Sequence, residues 1–145
     1  MVACAVSVTA SLERWPAIVA AVRACIGTRF RAQGRTPGLA LDCVGVVLVA
    51  AAAAGMGRIV PPVYALRGDH EGDIETMLAV AGCRAIDPAL PGDVLVIAPA
   101  ARQRHLAIVT PAGVVHAHAG VGKVVEGPID NEWTIIGAWR LAGAR

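Results

Sequence analysis

The sequence contains four cysteines and four histidines, and one of the cysteines is placed for nucleophilic chemistry. Cys43 follows Asp42, a residue type that caps helices, and precedes a long apolar run. A cysteine in the first turn of a helix lies beside unpaired backbone N–H groups, which lower the pKa of its thiol. The same N–H groups can hold the oxyanion that forms when a thiolate attacks a carbonyl. The pattern therefore predicts Cys43 as a nucleophile.

Such a nucleophile needs a base, and three of the four histidines lie close together in the second half of the chain. His105 begins one β-rich run, and His116 and His118 end the next. An antiparallel hairpin that turns at residues 110–113 brings His105 opposite the neighbourhood of His116. Because His116 and His118 share one face of their strand, the spacing alone leaves open which of them orients His105.

The other cysteines and the fourth histidine predict no chemistry. Cys4, Cys25 and Cys83 have no paired spacing of the kind that zinc sites or small disulfide frameworks use, so we expect reduced thiols in the core. His70 lies in a charged segment and is expected in a solvated loop.

A metal site is the alternative chemical interpretation of the same cluster. His105, His116, His118 and Cys43 could supply four ligands, since histidines two apart on a strand face one way. We favour it less because four-ligand geometry would also consume the best nucleophile.

The first half of the chain predicts three helices that position these residues. One begins after Ser11, presents an apolar face and ends at Gly27. A second begins at Asp42 and continues through five alanines to Gly55; it is apolar on all sides and therefore central in the core. A third is capped by Asp73 and ends near Gly82. Glycines and prolines predict loops at 28–41 and 55–66. The face of the first helix comprises Ile18, Val19, Val22, Cys25 and Ile26.

The second half changes to short β-rich runs separated by turn residues. The predicted strands are Asp93 to Ala98, His105 to Thr110, Val114 to His118, Val124 to Glu126 and Thr134 to Leu141. Helices followed by an antiparallel meander predict an α+β fold with the helices packed on one face of the sheet.

Composition sets the class of protein. The 145 residues, 56% of them hydrophobic, are enough for one compact domain. A net charge of +2 with arginines scattered along the chain excludes a dedicated nucleic-acid surface. The longest uncharged apolar stretch, Val44 to Gly57, is shorter than the roughly 18 residues that a membrane span needs. We therefore expect no nucleic-acid partner and no membrane span.

Several sequence blocks, in this order, resemble the NlpC family of papain-like cysteine peptidases, most closely the short version found in phage tails and gene transfer agents. The resemblance covers about residues 14–142 and implies one domain across 1–145. The blocks are Gly27 to Gln33, Asp42 to Val47, Pro91 to Leu95, His105 to Val109, Val115 to Ala117, and the closing Trp133 and Trp139-Arg140.

The resemblance implies an N-terminal helical part packed on a central antiparallel sheet and a catalytic triad. By position, the nucleophile is Cys43, the general base is His105 and the third, orienting residue is His116. Such enzymes cut peptidoglycan stem peptides, typically between D-γ-glutamyl and the diamino acid, through a thioester, and no cofactor is implied. The family usually has tyrosine at Phe30, so an oxyanion or substrate donor is missing, and Val44 stands at its common serine.

The resemblance also predicts a setting. We expect synthesis in the bacterial cytoplasm without a convincing export signal, and delivery to the cell wall in a phage-tail-like particle held by hub or baseplate proteins. Two other functions stay open: a structural tail hub or tip component with weak or lost activity, which Phe30 favours, and an amidase or acyl-transfer enzyme with a non-wall substrate.

Overall fold

A computed structural model describes residues 13–56 and 73–144, and for Asp73 it describes the backbone alone. Predictions made for Cys4, Ser11, His70, the segment 57–66 and the capping side chain of Asp73 lie outside the described residues.

The first helix, α1 (Trp15–Arg23), is shorter than predicted. Pro16 lies in its first turn, where the missing N–H costs nothing. Its apolar face is buried at the positions predicted by the spacing as far as Val22. The chain then turns, and Ile26 is 46% exposed instead of packed in the core. Gly27 follows this turn with a positive φ of 91° and leads the chain toward the sheet.

The second helix, α2 (Cys43–Ala53), begins as predicted. Asp42 is its N-cap: the backbone N–H of Gly45 donates to Asp42 Oδ1 at 2.8 Å. The helix packs against α1 and the sheet. Although its side chains are apolar on every side, no helix in the described ranges is long and apolar enough to cross a membrane.

The third helix, α3 (Asp73–Val80), buries Ile74, Met77 and Leu78. It is followed by Gly82, whose φ is 91°, in agreement with the predicted end.

Six antiparallel strands form the main sheet, in the order β3-β8-β4-β5-β6-β7. The α+β prediction, with helices on a central antiparallel sheet, is confirmed. The four strands β4 to β7 form a meander. The last strand, β8, was predicted to belong to this meander, but it returns to pair with β4. The strands are β3 (Arg84–Ile86), β4 (Val94–Ala98), β5 (His105–Thr110), β6 (Gly113–His118), β7 (Lys123–Gly127) and β8 (Thr134–Arg140).

Three short strands were not predicted. The loop at 28–41 contains a two-stranded hairpin, β1 (Arg35–Thr36) with β2 (Ala40–Leu41). The third is β3, which pairs with the end of β8. Strands of two or three residues are too short to show alternation, and partners distant in the chain define them.

The sheet has an apolar cluster on each face. The larger cluster combines the helices with one face of the sheet, and its largest fully buried side chains include Ile18, Leu78 and Leu106. The second cluster, on the opposite face, contains Leu95, Ile97 and Val109, and Trp133 packs against it. Because β5 has a strand on each side and apolar contacts on both faces, its start is a rigid site for a side chain.

A buried ion pair ties the beginning of β4 to the end of β8. Arg140 donates from Nε and Nη2 to the two carboxylate oxygens of Asp93, both at 2.9 Å. Asp93 has no exposed surface, and Asp93 Oδ2 also accepts from the backbone N–H of Leu90 at 2.8 Å. The carboxylate is therefore fully engaged in holding these strands together.

Candidate active site

One end of the sheet forms the wall of a cavity of about 430 Å³. Four neighbouring strands contribute there because antiparallel order brings alternate strand ends to the same edge: β4 ends, β5 begins, β6 ends and β8 begins. The start of α2 forms another wall. Cys43, His105, His116 and His118 all line this cavity, so the structure brings together the cluster that the sequence singled out.

The sulfur of Cys43 lies against the strand that carries His105. The backbone N–H groups of Leu106, the residue after His105, and of Val44 lie near enough to this sulfur to lower the pKa of the thiol. Cys43 is half-buried, whereas Cys25 and Cys83 are buried, and all three are free thiols. No hydrogen bond within the described part of the chain uses the backbone N–H of Cys43. That N–H remains available to an oxyanion.

The expected lowering of the Cys43 pKa is wrong. Burial raises the pKa of the thiol to about 11, and the adjacent carboxylate of Asp42 raises it further. The N–H groups of Leu106 and Val44 and the charge of Arg35 act in the lowering direction but are outweighed. At neutral pH Cys43 is therefore a neutral thiol.

Asp42 connects the start of α2 to the preceding hairpin. Arg35 Nη1 donates to Asp42 Oδ1 at 2.6 Å, and the backbone N–H of Gln33 donates to Asp42 Oδ2 at 2.9 Å. The carbonyl of Gly34 lies so close to Gly45 that a β-carbon there would collide with it. Cap, hairpin and helix are thus one packed unit that fixes the position of Cys43.

The two histidines predicted to meet do so. His105 Nε2 and His116 Nδ1 are 2.8 Å apart and share a hydrogen bond. Ile108 pairs with Val115, so the two imidazoles are diagonal neighbours on the hairpin and not a direct pair. When His105 donates from Nε2, its Nδ1 is the unprotonated nitrogen and can take a proton from a thiol.

Both imidazoles are neutral. Burial lowers the pKa of His105 to about 3, and repulsion from the protonated forms of His116 and His118 acts in the same direction. Burial, together with the charge of His118, lowers the pKa of His116 to about 4. The resting pair is therefore a thiol and a neutral imidazole.

His118 lines the same cavity but makes no hydrogen bond to His105. His118 Nδ1 accepts from the backbone N–H of Val121 at 3.1 Å, and its ring lies 5.4 Å from that of His116. The question left open by the spacing is thus answered geometrically: the partner of His105 is His116.

Trp133 is a cavity residue to which the sequence assigned no role. Its ring meets His116 edge-on, with centroids 5.2 Å apart, and approaches His105 at 6.2 Å. This placement shields the hydrogen bond between the imidazoles from water, in keeping with burial as the first cause of their lowered pKa values. Its only sequence signal was membership of the closing family block.

Two departures from the family pattern also line the cavity. Phe30 presents a ring without a hydroxyl, so it supplies no hydrogen-bond donor. Val44 is fully buried and supplies no side-chain hydroxyl.

The metal alternative gains no support. Within residues 13–56 and 73–144, no group of three or more histidine, cysteine, aspartate or glutamate side chains is arranged to hold a metal ion. His105 and His116 direct ring nitrogens at each other, which is incompatible with using those nitrogens as ligands.

Comparison with known proteins supports the fold. A solved structure of NlpC1 from Trichomonas vaginalis shares the architecture, with a TM-score of 0.56 and 12% sequence identity. The alignment covers 88% of this chain and 44% of the NlpC1 chain, so the chain spans less than half the length of that protein. No protein-family profile and no curated protein matches the sequence. The fold is therefore NlpC-type.

Proposed function

We propose that the protein is a cysteine peptidase that hydrolyses amide bonds in peptidoglycan stem peptides, between D-γ-glutamyl and the diamino acid. The observation that carries the proposal is that the Cys43 thiol lines one cavity with His105, whose imidazole is held by His116. The fold shared with NlpC1 and the family blocks in the sequence support the choice of substrate.

Acylation begins from the neutral pair. As substrate enters, the thiol proton of Cys43 passes to His105 Nδ1 and the sulfur attacks the carbonyl carbon. The resulting oxyanion accepts a hydrogen bond from the backbone N–H of Cys43. When the C–N bond breaks, His105 returns the proton to the leaving amine, and the acyl group remains on the sulfur as a thioester.

Deacylation uses the same groups in reverse. His105 takes a proton from water, the hydroxide attacks the thioester carbonyl, and the C–S bond breaks. The thiolate of Cys43 recovers its proton from His105. His116 holds the imidazole in one orientation throughout and stabilises its protonated form.

Digestion of purified peptidoglycan tests this function. We expect release of free amino groups, with muropeptide mass spectrometry locating the cut at the γ-glutamyl bond. Cys43→Ser and His105→Ala should abolish release while leaving circular dichroism unchanged, and Cys83→Ala, outside the cavity, serves as the matched thiol control. Full turnover by Cys43→Ser, or no release by the wild type, would contradict the proposal.

We also propose that a phage-tail-like particle carries the enzyme to the wall, on the basis of the family resemblance. The competing function is a structural hub or tip component without turnover, and Phe30 in the cavity is the observation that favours it. Co-sedimentation with particles accompanied by muropeptide release supports the enzyme. Co-sedimentation without release selects the structural component.

A further inference from the structure

Arg104 is the residue immediately before the proposed base, and its side chain lines the same cavity. The side chain is 7% exposed, although arginine is rarely buried unless it is paired. Among the described residues that line the cavity, Arg104 is the one with a permanent positive charge. The mechanism proposed above makes no use of it.

The contacts of Arg104 account for only part of its donor capacity. Nε donates to Glu75 Oε1 at 3.1 Å, and Nη1 donates to the backbone carbonyl of Gln103 at 3.0 Å. A guanidinium carries five N–H donors in a planar fork. No described residue accepts from Nη2, yet no buried polar atom in the described part of the chain is without a partner. The Nη2 end therefore keeps accessible surface, on a side chain that lines the cavity.

Glu75, on α3, fixes the direction of this fork. Its carboxylate accepts the hydrogen bond from Nε, so the two terminal nitrogens, Nη1 and Nη2, point away from Glu75. Gln103 holds one hydrogen of Nη1 through its carbonyl. The donors that remain form the kind of paired edge that binds a carboxylate with two parallel hydrogen bonds.

We infer that Arg104 is a specificity-determining residue that binds a substrate carboxylate inside the cavity. The inference rests on the proposed function and deepens it. A γ-linked glutamyl residue leaves its α-carboxylate free, and the diamino acid carries carboxylates of its own. Each lies within one residue of the bond to be cut, and Arg104 adjoins the base that acts on that bond.

Kinetics with matched peptides test the inference and identify the source of the carboxylate. One peptide has both carboxylates free, one has the glutamyl α-carboxylate converted to the amide, and one has the diamino-acid carboxylates amidated. We expect the wild type to lose roughly 10- to 100-fold in kcat/KM on one of the two amidated peptides, as for hydrogen bonds to charged groups. Arg104→Gln should lose that preference.

Two variants separate recognition from structure. Glu75→Gln keeps an oxygen acceptor for Nε but removes the ion pair, so the preference for the free carboxylate should persist. Arg102→Gln removes a neighbouring exposed arginine outside the cavity and should leave all three rates unchanged. An unaltered preference in Arg104→Gln, or equal loss of preference in Glu75→Gln, would overturn the inference.

A binding measurement distinguishes failure of this inference from failure of the proposed function. Calorimetry of the three peptides with Cys43→Ala reports recognition without turnover, and Arg104→Gln in that background should bind the acidic and amidated peptides alike. If the wild type hydrolyses none of the peptides, the proposed function is wrong. The binding difference then decides the role of Arg104 by itself.

Discussion

His105 Nε2 and His116 Nδ1 lie 2.8 Å apart, and this contact determines which nitrogen of His105 is left to act as the base of the proposed mechanism. If His116 accepts the hydrogen bond, His105 Nδ1 carries a lone pair and can act as a base. If His116 donated it, the proton of His105 would be on Nδ1 and the base would be lost. In the proposed mechanism His116 therefore acts by selecting a tautomer of His105.

His116→Leu removes the acceptor, and we expect kcat to fall by roughly 10²- to 10⁴-fold, the range for a misplaced or wrongly protonated base. His116→Asn offers an amide oxygen to Nε2 and should retain more activity than the leucine variant. His118→Asn is the matched control and should cost much less. Steady-state kinetics decide this, and equal losses at positions 116 and 118 would contradict the assignment.

The pH profile of kcat/KM should have its acid limb far below the ordinary histidine pKa of 6.5. As pH falls, His116 is protonated first, near its pKa of about 4, and can then no longer accept from His105. His105 follows at about 3. Activity should thus persist through pH 5 to 6, at roughly its neutral level. In Trp133→Ala the two imidazoles should be less desolvated, so the acid limb should move to higher pH. A wild-type acid limb at pH 6.5 would contradict the burial of His105 and His116.

Asp42→Asn should make Cys43 more reactive. Asparagine caps a helix as well as aspartate does, but it removes the negative charge that raises the thiol pKa and leaves Arg35, which lowers it. We expect alkylation of Cys43 by iodoacetamide at pH 8 to accelerate roughly threefold to tenfold. Peptide mass spectrometry measures the rate, with buried Cys25 and Cys83 as internal references. An unchanged rate would mean that Asp42 has little electrostatic influence on the sulfur.

The buried and exposed ion pairs should differ in their effect on stability. Arg140→Met leaves the carboxylate of Asp93 buried without its partner, at a cost of about 3 to 5 kcal/mol in the free energy of unfolding. Arg23→Met breaks the ion pair between Arg23 and Glu126, in which the arginine side chain is 40% exposed. It should lower the free energy of unfolding by only about 0 to 1 kcal/mol. Urea unfolding of both variants compares them directly. Similar midpoints would refute the distinction.

Local patterns predicted much of the site. The Asp42 cap begins α2 where the sequence placed it, and the observed strand over residues 105–110 has the predicted bounds. Because the turn follows directly, the short hairpin was enough to bring His105 and His116 together. These are contacts between residues close in the chain, for which spacing is informative.

Contacts between distant residues were not predicted. The raised pKa of Cys43 follows first from its burial in the folded chain, whereas the helix start alone suggested the opposite shift. Glu75 and Arg104 are 29 positions apart, and no periodicity links a helix to the residue before a strand. The pairing of β3 with β8 likewise depends on chain segments that meet only after folding.

The place of β8 has a consequence for biosynthesis. It lies between β3 and β4 in the sheet but is the last of the six strands to be synthesised. Two strands made earlier therefore lack their neighbour until β8 has been translated. Until residue 140 has cleared the exit tunnel, one edge of β4 is open and β3 has nothing to pair with. A nascent chain arrested before Thr134 should therefore expose cavity side chains to solvent, and the cavity should form only after translation of this strand is complete.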